Sequence, residues 1–395
     1  MADLKKVAPG MLAHFTDLPD PRATRGIRHR LDDIVCISII AVICGADTYS
    51  GIHQYALANE TWLKSFLALP SGIPSQDTFE RMFALLEPTV WQPRLLEWTR
   101  DLALPELAEG EDEVLAVDGK TARRSHQGGL GALHMVSVWS SQFEIVLAQE
   151  EVDKKTNEMT VIPDLLEIVN PAAAVVTIDA MGTQKQIAWT IRECHAHYLL
   201  ALKNNHPTLA ADTRWLFDDA DQSGWETCPH SYAKTVERGH GRREVRECWV
   251  LDDLSIFETE TLDAWRDLRC VVRIRSSRHF DHDPEVHVQD RYFITSLPND
   301  AARILRAARL HWGIENGLHW VLDVAFDEDR SRARRENAQA NWAAIRRLAV
   351  NLLKRDKTLK VGVKAKRLRA GWDRSYLCKI LGCDFAVALF LDPLP

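Results

Sequence analysis

The sequence predicts an α/β protein in which helical segments precede and follow a central sheet. Three observations support this class. Apolar residues recur at helical spacing up to about residue 105, extended apolar runs follow the acidic stretch 107–113, and helical spacing resumes at about residue 299. The chain has 395 residues, which exceeds the usual size of one hydrophobic core and predicts about two or three folding units.

Residues 1–106 are predicted to form a helical N-terminal domain. Gly, Pro and Ser signals separate its apolar-periodic segments, which read "LDDIVCISIIAVICGA", "YSGIHQYALANETWLKSFL" and "SQDTFERMFALL". The longest apolar run has about thirteen residues, fewer than the roughly twenty that cross a bilayer, so we expect a buried helix. A small DNA-binding module and a helical support domain both agree with this pattern.

The middle of the chain changes to extended runs and then to alternating helices and strands. Three strand-like runs come first, "VLAVDG", "HMVSVWSS" and "EIVLAQEEV", and two more strands, "AAVVTIDAM" and "HYLLALKNN", follow with helical segments before each. This order is that of the RNase H-like (retroviral-integrase-like) fold. We expect such a core at 107–355, with a β-rich insertion at about 206–298.

Charge is strongly segregated along the chain. The formal net charge is −7, yet residues 330–374 carry fifteen Lys or Arg against three acids, a local charge of +12. With Trp342 interleaved, this density predicts phosphate contacts by the basic helical segment that continues into a C-terminal tail at 356–395. The eight cysteines form no CxxC pair and no N-terminal signal precedes them, which predicts reduced thiols in a cytoplasmic, nucleoid-associated protein.

Two acids end strand-like runs in similar surroundings. Asp118 ends "VLAVD" and Asp179 ends "VVTID". Neighbouring strands of one sheet would bring both carboxylates to the same edge, where they repel unless a cation lies between them. Mg²⁺ suits such oxygen ligands, and the sequence contains no Cys/His cluster that would favour a different metal. The alternative is that each Asp caps the turn that follows it.

A third acid is expected from a helix packed over that edge, and Glu315 in "RLHWGIENGLHWVLD" is the best candidate. At helical spacing it borders an apolar stripe formed by Ile314, Leu318, Val321 and Leu322.

Other roles for this segment stay open at this point. His311, Glu315 and His319 align at i, i+4 and i+8, which also suggests zinc, although the spacing matches no HExxH motif. Asp323 and Asp327 are alternatives to Glu315 as the third acid.

With these residues in place, the chain resembles bacterial insertion-sequence DDE transposases of the branch that includes the H-repeat-associated proteins. The resemblance covers roughly residues 12–385. It rests on motifs that occur in order: "DPRATRGIRHRL" with "VICGADTY", "AVDGKTARRS", "TIDAMGTQ", "ALKNNHP", "GHGRREVR" and "HWGIENGLHWVLDVAFDED".

The resemblance implies that Asp118, Asp179 and Glu315 bind two Mg²⁺ (or Mn²⁺) ions in a catalytic core. It implies binding of double-stranded DNA at the element ends, cleavage, and transfer of the 3′-hydroxyl to target DNA. Joining two ends requires two active sites, so we expect at least a homodimer in the DNA complex. The tyrosine-arginine-glutamate-lysine signature of sister families is not intact here, because Asp323 and His319 occupy the region of its lysine.

Several further residues are expected to contact DNA. Plain solvation is the alternative for the cations beside Asp118 and for the tip of the insertion, and ordering of the metal ligands is the alternative for Gln184, Lys203 and Asn204. Cations beside Asp118 would hold the scissile phosphate, polar residues after the later strands would position DNA, and basic residues of the insertion and the C-terminal run would contact the backbone. These residues are Lys120, Arg123, Arg124, Gln184, Lys203, Asn204, His240, Arg242, Arg309, Arg332, Arg334 and Arg335.

Two other functions also agree with the sequence. One is a metal-dependent DNA nuclease or domesticated DNA-binding descendant that lacks strand transfer. The other is a scaffold without catalysis, in which the two aspartates cap turns and the basic segment binds RNA or acidic proteins.

Overall fold

The structure, a computed structural model, describes residues 9–23, 26–101, 107, 110–122, 133–152, 158–203, 205–226, 228–239, 241–283 and 285–382. Helices fill most of the described part before residue 102. They are α1 (Pro9–Phe15), α2 (Leu31–Ile43), α3 (Tyr49–Ala58), α4 (Glu60–Leu63), α5 (Gln76–Leu85) and α6 (Pro88–Asp101). Helix α2 is the apolar run of the sequence, and nearly all of its residues are buried.

A nine-stranded sheet forms the centre of the molecule, with strand order β3-β2-β1-β4-β5-β9-β8-β7-β6. The strands are β1 (Val114–Thr121), β2 (His134–Ser140), β3 (Ile145–Glu151), β4 (Val175–Ile178), β5 (His197–Leu202), β6 (Ser231–Gly239), β7 (Arg242–Leu251), β8 (Cys270–Phe280) and β9 (Val286–Thr295). Strand pairs β1–β4 and β4–β5 are parallel, and the other neighbours are antiparallel. The prediction of a mixed α/β protein is confirmed.

Helices connect the parallel strands and cover the sheet, as the alternating sequence pattern predicted. Those of the sheet region are α7 (Glu158–Val169), α8 (Lys185–Glu193), α9 (Pro207–Gln222), α10 (Thr259–Ala264) and α11 (Ala301–His311). Helices α7 and α8 join β3 to β4 and β4 to β5, so their apolar faces pack on one side of the sheet in a shared core.

The β-rich insertion continues the central sheet. Strand β9 pairs with β5 along Leu199↔Thr295 to Leu202↔Tyr292, and β8, β7 and β6 extend the sheet outward from β9. This pairing satisfies the backbone groups on the open edge of β5, which would otherwise be an exposed strand edge.

The C-terminal helices share one apolar core with the N-terminal helices. They are α12 (Trp320–Phe326), α13 (Ala338–Arg355), α14 (Val363–Trp372) and α15 (Arg374–Ile380). The buried Asn341 amide accepts a hydrogen bond from Trp91 Nε1 at 2.6 Å and donates to the carbonyls of Phe83 and Leu86. In the described part of 356–395, helices α14 and α15 contribute buried residues to this core, so the segment packs against the rest of the fold.

Several side chains of the basic segment are buried, so these residues cannot make the predicted phosphate contacts. Trp342 packs against Tyr49 and Phe83. Arg346 and Arg347 are each 2% exposed, and Arg347 forms an ion pair of 2.9 Å with Glu328. These buried cations stabilise the fold and are not accessible to a DNA backbone.

Two cations of helix α14 likewise hold the helical core together. Arg367 is 3% exposed, pairs with Asp47 at 2.8 Å and donates to the carbonyl oxygen of Val42. Lys366 donates to the carbonyls of Leu353 and Asp356. A charge count along the sequence does not distinguish such buried cations from surface ones. In the ranges that the structure describes, no helix combines the length and apolarity needed to cross a bilayer.

Candidate metal and active site

The register of two parallel strands brings Asp118 and Asp179 to one edge of the sheet. Val117 of β1 lies opposite Ile178 of β4, so each aspartate is one residue beyond the last parallel pair, where β4 ends and β1 continues to Thr121. Both carboxylates line a cleft of about 400 Å³ together with Glu315. The structure thus brings together the three acids that the sequence singled out.

A π-helical turn, Glu315–His319, positions the third acid. It lies between the end of α11 at His311 and the start of α12. The apolar stripe is buried as predicted, with Ile314, Leu318 and Leu322 at 0% exposure. Such turns insert one extra residue into a helix and are frequent at functional sites.

Glycine is required inside this turn. A Cβ atom on Gly317 would lie 2.9 Å from Cζ2 of Trp139, closer than side-chain atoms normally approach. The turn therefore packs directly on the indole of β2, which fixes the position of Glu315 relative to the sheet.

The break in the helix separates the two histidines that the regular pattern had aligned. His311 Nδ1 lies 2.9 Å from the hydroxyl of Thr177, next to Asp179. His319 instead faces Asp118 and Glu315. The predicted His-Glu-His row is therefore wrong as a single ligand set, which argues against the zinc interpretation.

His319 joins the acids through its ring nitrogen Nδ1. That atom lies 3.6 Å from Oδ2 of Asp118 and 3.5 Å from Oε2 of Glu315, and one ligand atom from each of the three residues lies within 4.8 Å of the others. The residue is 7% exposed, and its Nε2 has no hydrogen-bond partner in the described ranges. Burial, followed by the charges of Arg347 and Lys120, lowers the pKa of His319 to about 3, so the ring is neutral and able to donate an electron pair.

The sequence prediction missed His319 as a member of this cluster. The available signal was its spacing of four residues from Glu315, which was assigned only to the zinc alternative.

Glu315 and Asp179 destabilise the charged form of Asp118. Burial, followed by the negative charges of Glu315 and Asp179, raises the pKa of Asp118 to about 7. Asp118 Oδ1 accepts one hydrogen bond, from the amide of Gly119 at 2.9 Å. A divalent cation at this point would reverse the repulsion and favour the ionised form, so the donor set fits a metal ion.

Asp179 also caps the turn that follows it, which is the alternative role that the sequence suggested for both aspartates. Its Oδ1 accepts hydrogen bonds from the amides of Met181 at 3.0 Å and Gly182 at 3.3 Å. These bonds orient the carboxylate and use one of its oxygens, so capping and a ligand role are compatible.

Lys120 lies in a buried ionic network. Its ammonium is 2.7 Å from Asp323, 3.5 Å from Glu328 and 3.7 Å from Asp329, and its side chain is 9% exposed. This arrangement argues against the predicted phosphate contact of Lys120 and against Asp323 as the third acid, because the two charges already face each other. Asp327, the other alternative, ends α12 in a left-handed conformation and does not line the cleft of the acids.

The other predicted DNA contacts occupy different places. Lys203 lines the acid cleft, whereas Gln184 precedes the first residue of α8. Arg309 pairs with Glu237 at 3.0 Å, and Arg242 lies 3.5 Å from Glu244. Arg332 and Arg335 are exposed and Arg334 is half-buried. The predictions for Arg123, Arg124, Asn204 and His240 lie outside the described residues.

Comparisons with known proteins agree on one family. The family model described as "Transposase DDE domain" matches residues 109–352, and the model described as "DDE_Tnp_1-associated" matches residues 12–99. The "H repeat-associated putative transposase YhhI" of Escherichia coli K12 is 34% identical over 386 residues, covering 96% of this chain and 98% of that protein.

A second relative has a comparable identity. The "Putative transposase YncI" of Escherichia coli O157:H7 is 36% identical over 377 residues, covering 94% of each chain. Among solved structures, a piggyBac transposase synaptic complex with hairpin DNA aligns with a TM-score of 0.45 at 10% identity, covering 100% of this chain and 80% of that one.

Proposed function

This chain belongs to the family of DDE-domain transposases, and from that membership we propose that it binds the ends of an insertion sequence, cleaves phosphodiester bonds there and transfers the freed 3′-hydroxyl to target DNA. The observation that carries the proposal is the convergence of Asp118, Asp179 and Glu315 on one cleft. We assign the RNase H-like core to 107–355, preceded by the helical domain 1–106.

The two aspartates, Glu315 and His319 would hold the divalent ions. When bound, two Mg²⁺ or Mn²⁺ ions would activate the attacking oxygen and stabilise the leaving oxygen of an in-line displacement. The raised pKa of Asp118 and the neutral, buried ring of His319 both agree with a cation between these groups. The side chain of Glu315 is 55% exposed, so it would approach the ions from the solvent side of the cleft.

Other residues of the chain would position the acids and the DNA. Lys120 follows Asp118 by two residues on β1 and bonds Asp323 on α12, so the network ties the strand that carries one acid to the helix that follows the other. Lys203 and Arg214 line the acid cleft and would offset the charge of the scissile phosphate. Exposed Arg332 and Arg335 are proposed to contact the flanking DNA backbone.

A test separates transposition from simple hydrolysis. Double-stranded DNA from the flanks of the element is cut in advance so that it ends in a 3′-hydroxyl or, in the matched substrate, a 3′-deoxy end. With Mg²⁺ or Mn²⁺ and a plasmid target, the proposal expects joined products only from the hydroxyl end. Cleavage of uncut DNA without any joining would favour the nuclease alternative. Joined complexes that contain a single protomer would contradict the proposed dimer.

A further inference from the structure

A second cleft, of about 520 Å³, opens beside the acid cluster on the face formed by the insertion strands and α11. Arg291, Phe293, Ala308 and Trp312 line both clefts, and Asn316 of the second follows Glu315 of the first. The two clefts therefore adjoin along these shared residues.

The lining of this cleft is strongly basic in a protein whose formal net charge is −7. Two carboxylates, Glu237 and Glu244, face six guanidinium groups, which leaves a surplus of four positive charges. The arginines are Arg238, Arg242, Arg246, Arg278, Arg291 and Arg309. Such a surplus in a concave site attracts a polyanion.

Close contacts hold three of these arginines, Arg246, Arg278 and Arg291, in place. Glu244 is 4% exposed and lies 2.7 Å from Arg246 and 3.1 Å from Arg278. The guanidinium of Arg291 stacks 4.2 Å from the ring centroid of Trp312. Rigid guanidinium groups lose little conformational entropy on binding and match the paired oxygens of phosphate.

Arg291 lies beside another cation of the cleft, Arg278, and is not fully compensated by Glu244. Burial, followed by the positive charge of Arg278, lowers the pKa of Arg291, and Glu244 only partly offsets this effect. A bound anion would relieve the repulsion.

We propose that this arginine cleft binds the sugar-phosphate backbone of the DNA strand as it leaves the acid cluster. The proposal rests on the proposed function, because the scissile phosphate at the acids fixes where the strand enters. Regularly spaced phosphates suit a row of guanidinium groups, whereas a single free phosphate would leave most of the surplus charge unmatched.

The test measures DNA affinity against salt concentration for the full chain in EDTA, so that no cleavage occurs. A fluorescein-labelled single strand from the element flank is titrated by anisotropy against the native chain and the double variant Arg278→Gln/Arg291→Gln. The matched control is Arg266→Gln/Arg269→Gln, which removes two exposed arginines that line neither cleft, one of them stacked 4.7 Å from Trp189.

The cleft variant is expected to reduce the slope of log Kd against log salt by about 1.4, for two lost contacts to a single strand, while the control keeps the native slope. Equal slopes in both variants would overturn the proposal that the arginine cleft binds DNA, even if the native chain cleaves and joins DNA with metal. The expected slope change, combined with no cleavage by the native chain when Mg²⁺ or Mn²⁺ is supplied in a separate assay, would support the cleft and count against the proposed function. Absence of DNA binding by the native chain would overturn both.

Discussion

Nδ1 of His319 lies 3.6 Å from Oδ2 of Asp118, and a π-helical turn places it there. The same nitrogen lies 3.5 Å from Oε2 of Glu315. Ligand atoms around one ion are normally separated by about this distance, since metal–ligand bonds are about 2.0–2.2 Å long. The turn therefore adds a nitrogen donor to a site that otherwise consists of carboxylates.

His319→Gln should change which metal the protein prefers. Imidazole suits Mn²⁺ better than Mg²⁺, so the affinity for Mn²⁺ should fall by about tenfold, about 1.4 kcal/mol, with a smaller change for Mg²⁺. Titrations followed by calorimetry and by the Mn²⁺ paramagnetic signal would measure both. His287→Gln, an exposed histidine on β9, is the control. Equal affinities in native and His319→Gln chains would remove His319 from the ligand set.

Gly317→Ala should disturb the site through packing alone. Its new methyl group would meet Trp139 at 2.9 Å, whereas Gly313→Ala in the same segment meets nothing closer than 3.7 Å. A misplacement of about 1 Å costs on the order of 10²-fold in rate, so DNA cleavage should fall strongly in the first variant and little in the second. Overpacking should also lower the free energy of unfolding by about 1–3 kcal/mol. Similar cleavage rates for the two variants would count against close packing of the turn.

Lys120→Met should destabilise the fold. Removing one partner from a buried ionic network costs about 3–5 kcal/mol, and partial exposure of Asp323 and Asp329 reduces our expectation to about 2–3 kcal/mol. Denaturant unfolding would measure the loss. Lys64→Met removes the partner of Glu60 from a solvent-exposed pair and should cost about 0.5 kcal/mol or less. A similar small effect for Lys120→Met would mean that the network adds little stability.

The ionisation of Asp356 should make the free energy of unfolding depend on pH in the acid range. Although burial opposes it, hydrogen bonds from Lys379, Thr358 and Tyr376 hold the pKa of Asp356 well below its usual range. Because the folded pKa is lower than the unfolded value of about 3.9, the stabilisation is complete above that pH and is lost as pH falls. Unfolding measured from pH 6 to pH 2 should show a steeper loss for the native chain than for Asp356→Asn. Parallel curves would contradict this role.

The strand acids were predictable from the sequence because each follows an apolar run, and the parallel register then places Asp118 beside Asp179. Glu315 was predictable from the helical stripe that it borders. His319 was indicated only by its spacing of four residues from Glu315, and the π-helical turn that brings it to the acids was not predictable, because Gly317 of that turn packs on Trp139, which is distant in sequence.

The burial of arginines in the basic C-terminal segment was not predictable from the sequence. Arg347 and Arg367 carry the same charge as surface arginines, but their partners, Glu328 and Asp47, come from other parts of the chain. The pairing of β5 with β9 could not be predicted from the sequence either, since strand pairing across an insertion depends on tertiary contacts.

The most direct test of the catalytic site compares the native chain with Glu315→Gln in metal-dependent cleavage of DNA from the element flanks. Asp327→Asn, which removes an exposed acid outside the cleft, is the control. Glu315→Gln should bind DNA with native affinity and lose cleavage with both Mg²⁺ and Mn²⁺, while the control cleaves normally. Native cleavage by Glu315→Gln would contradict the assignment of the third acid.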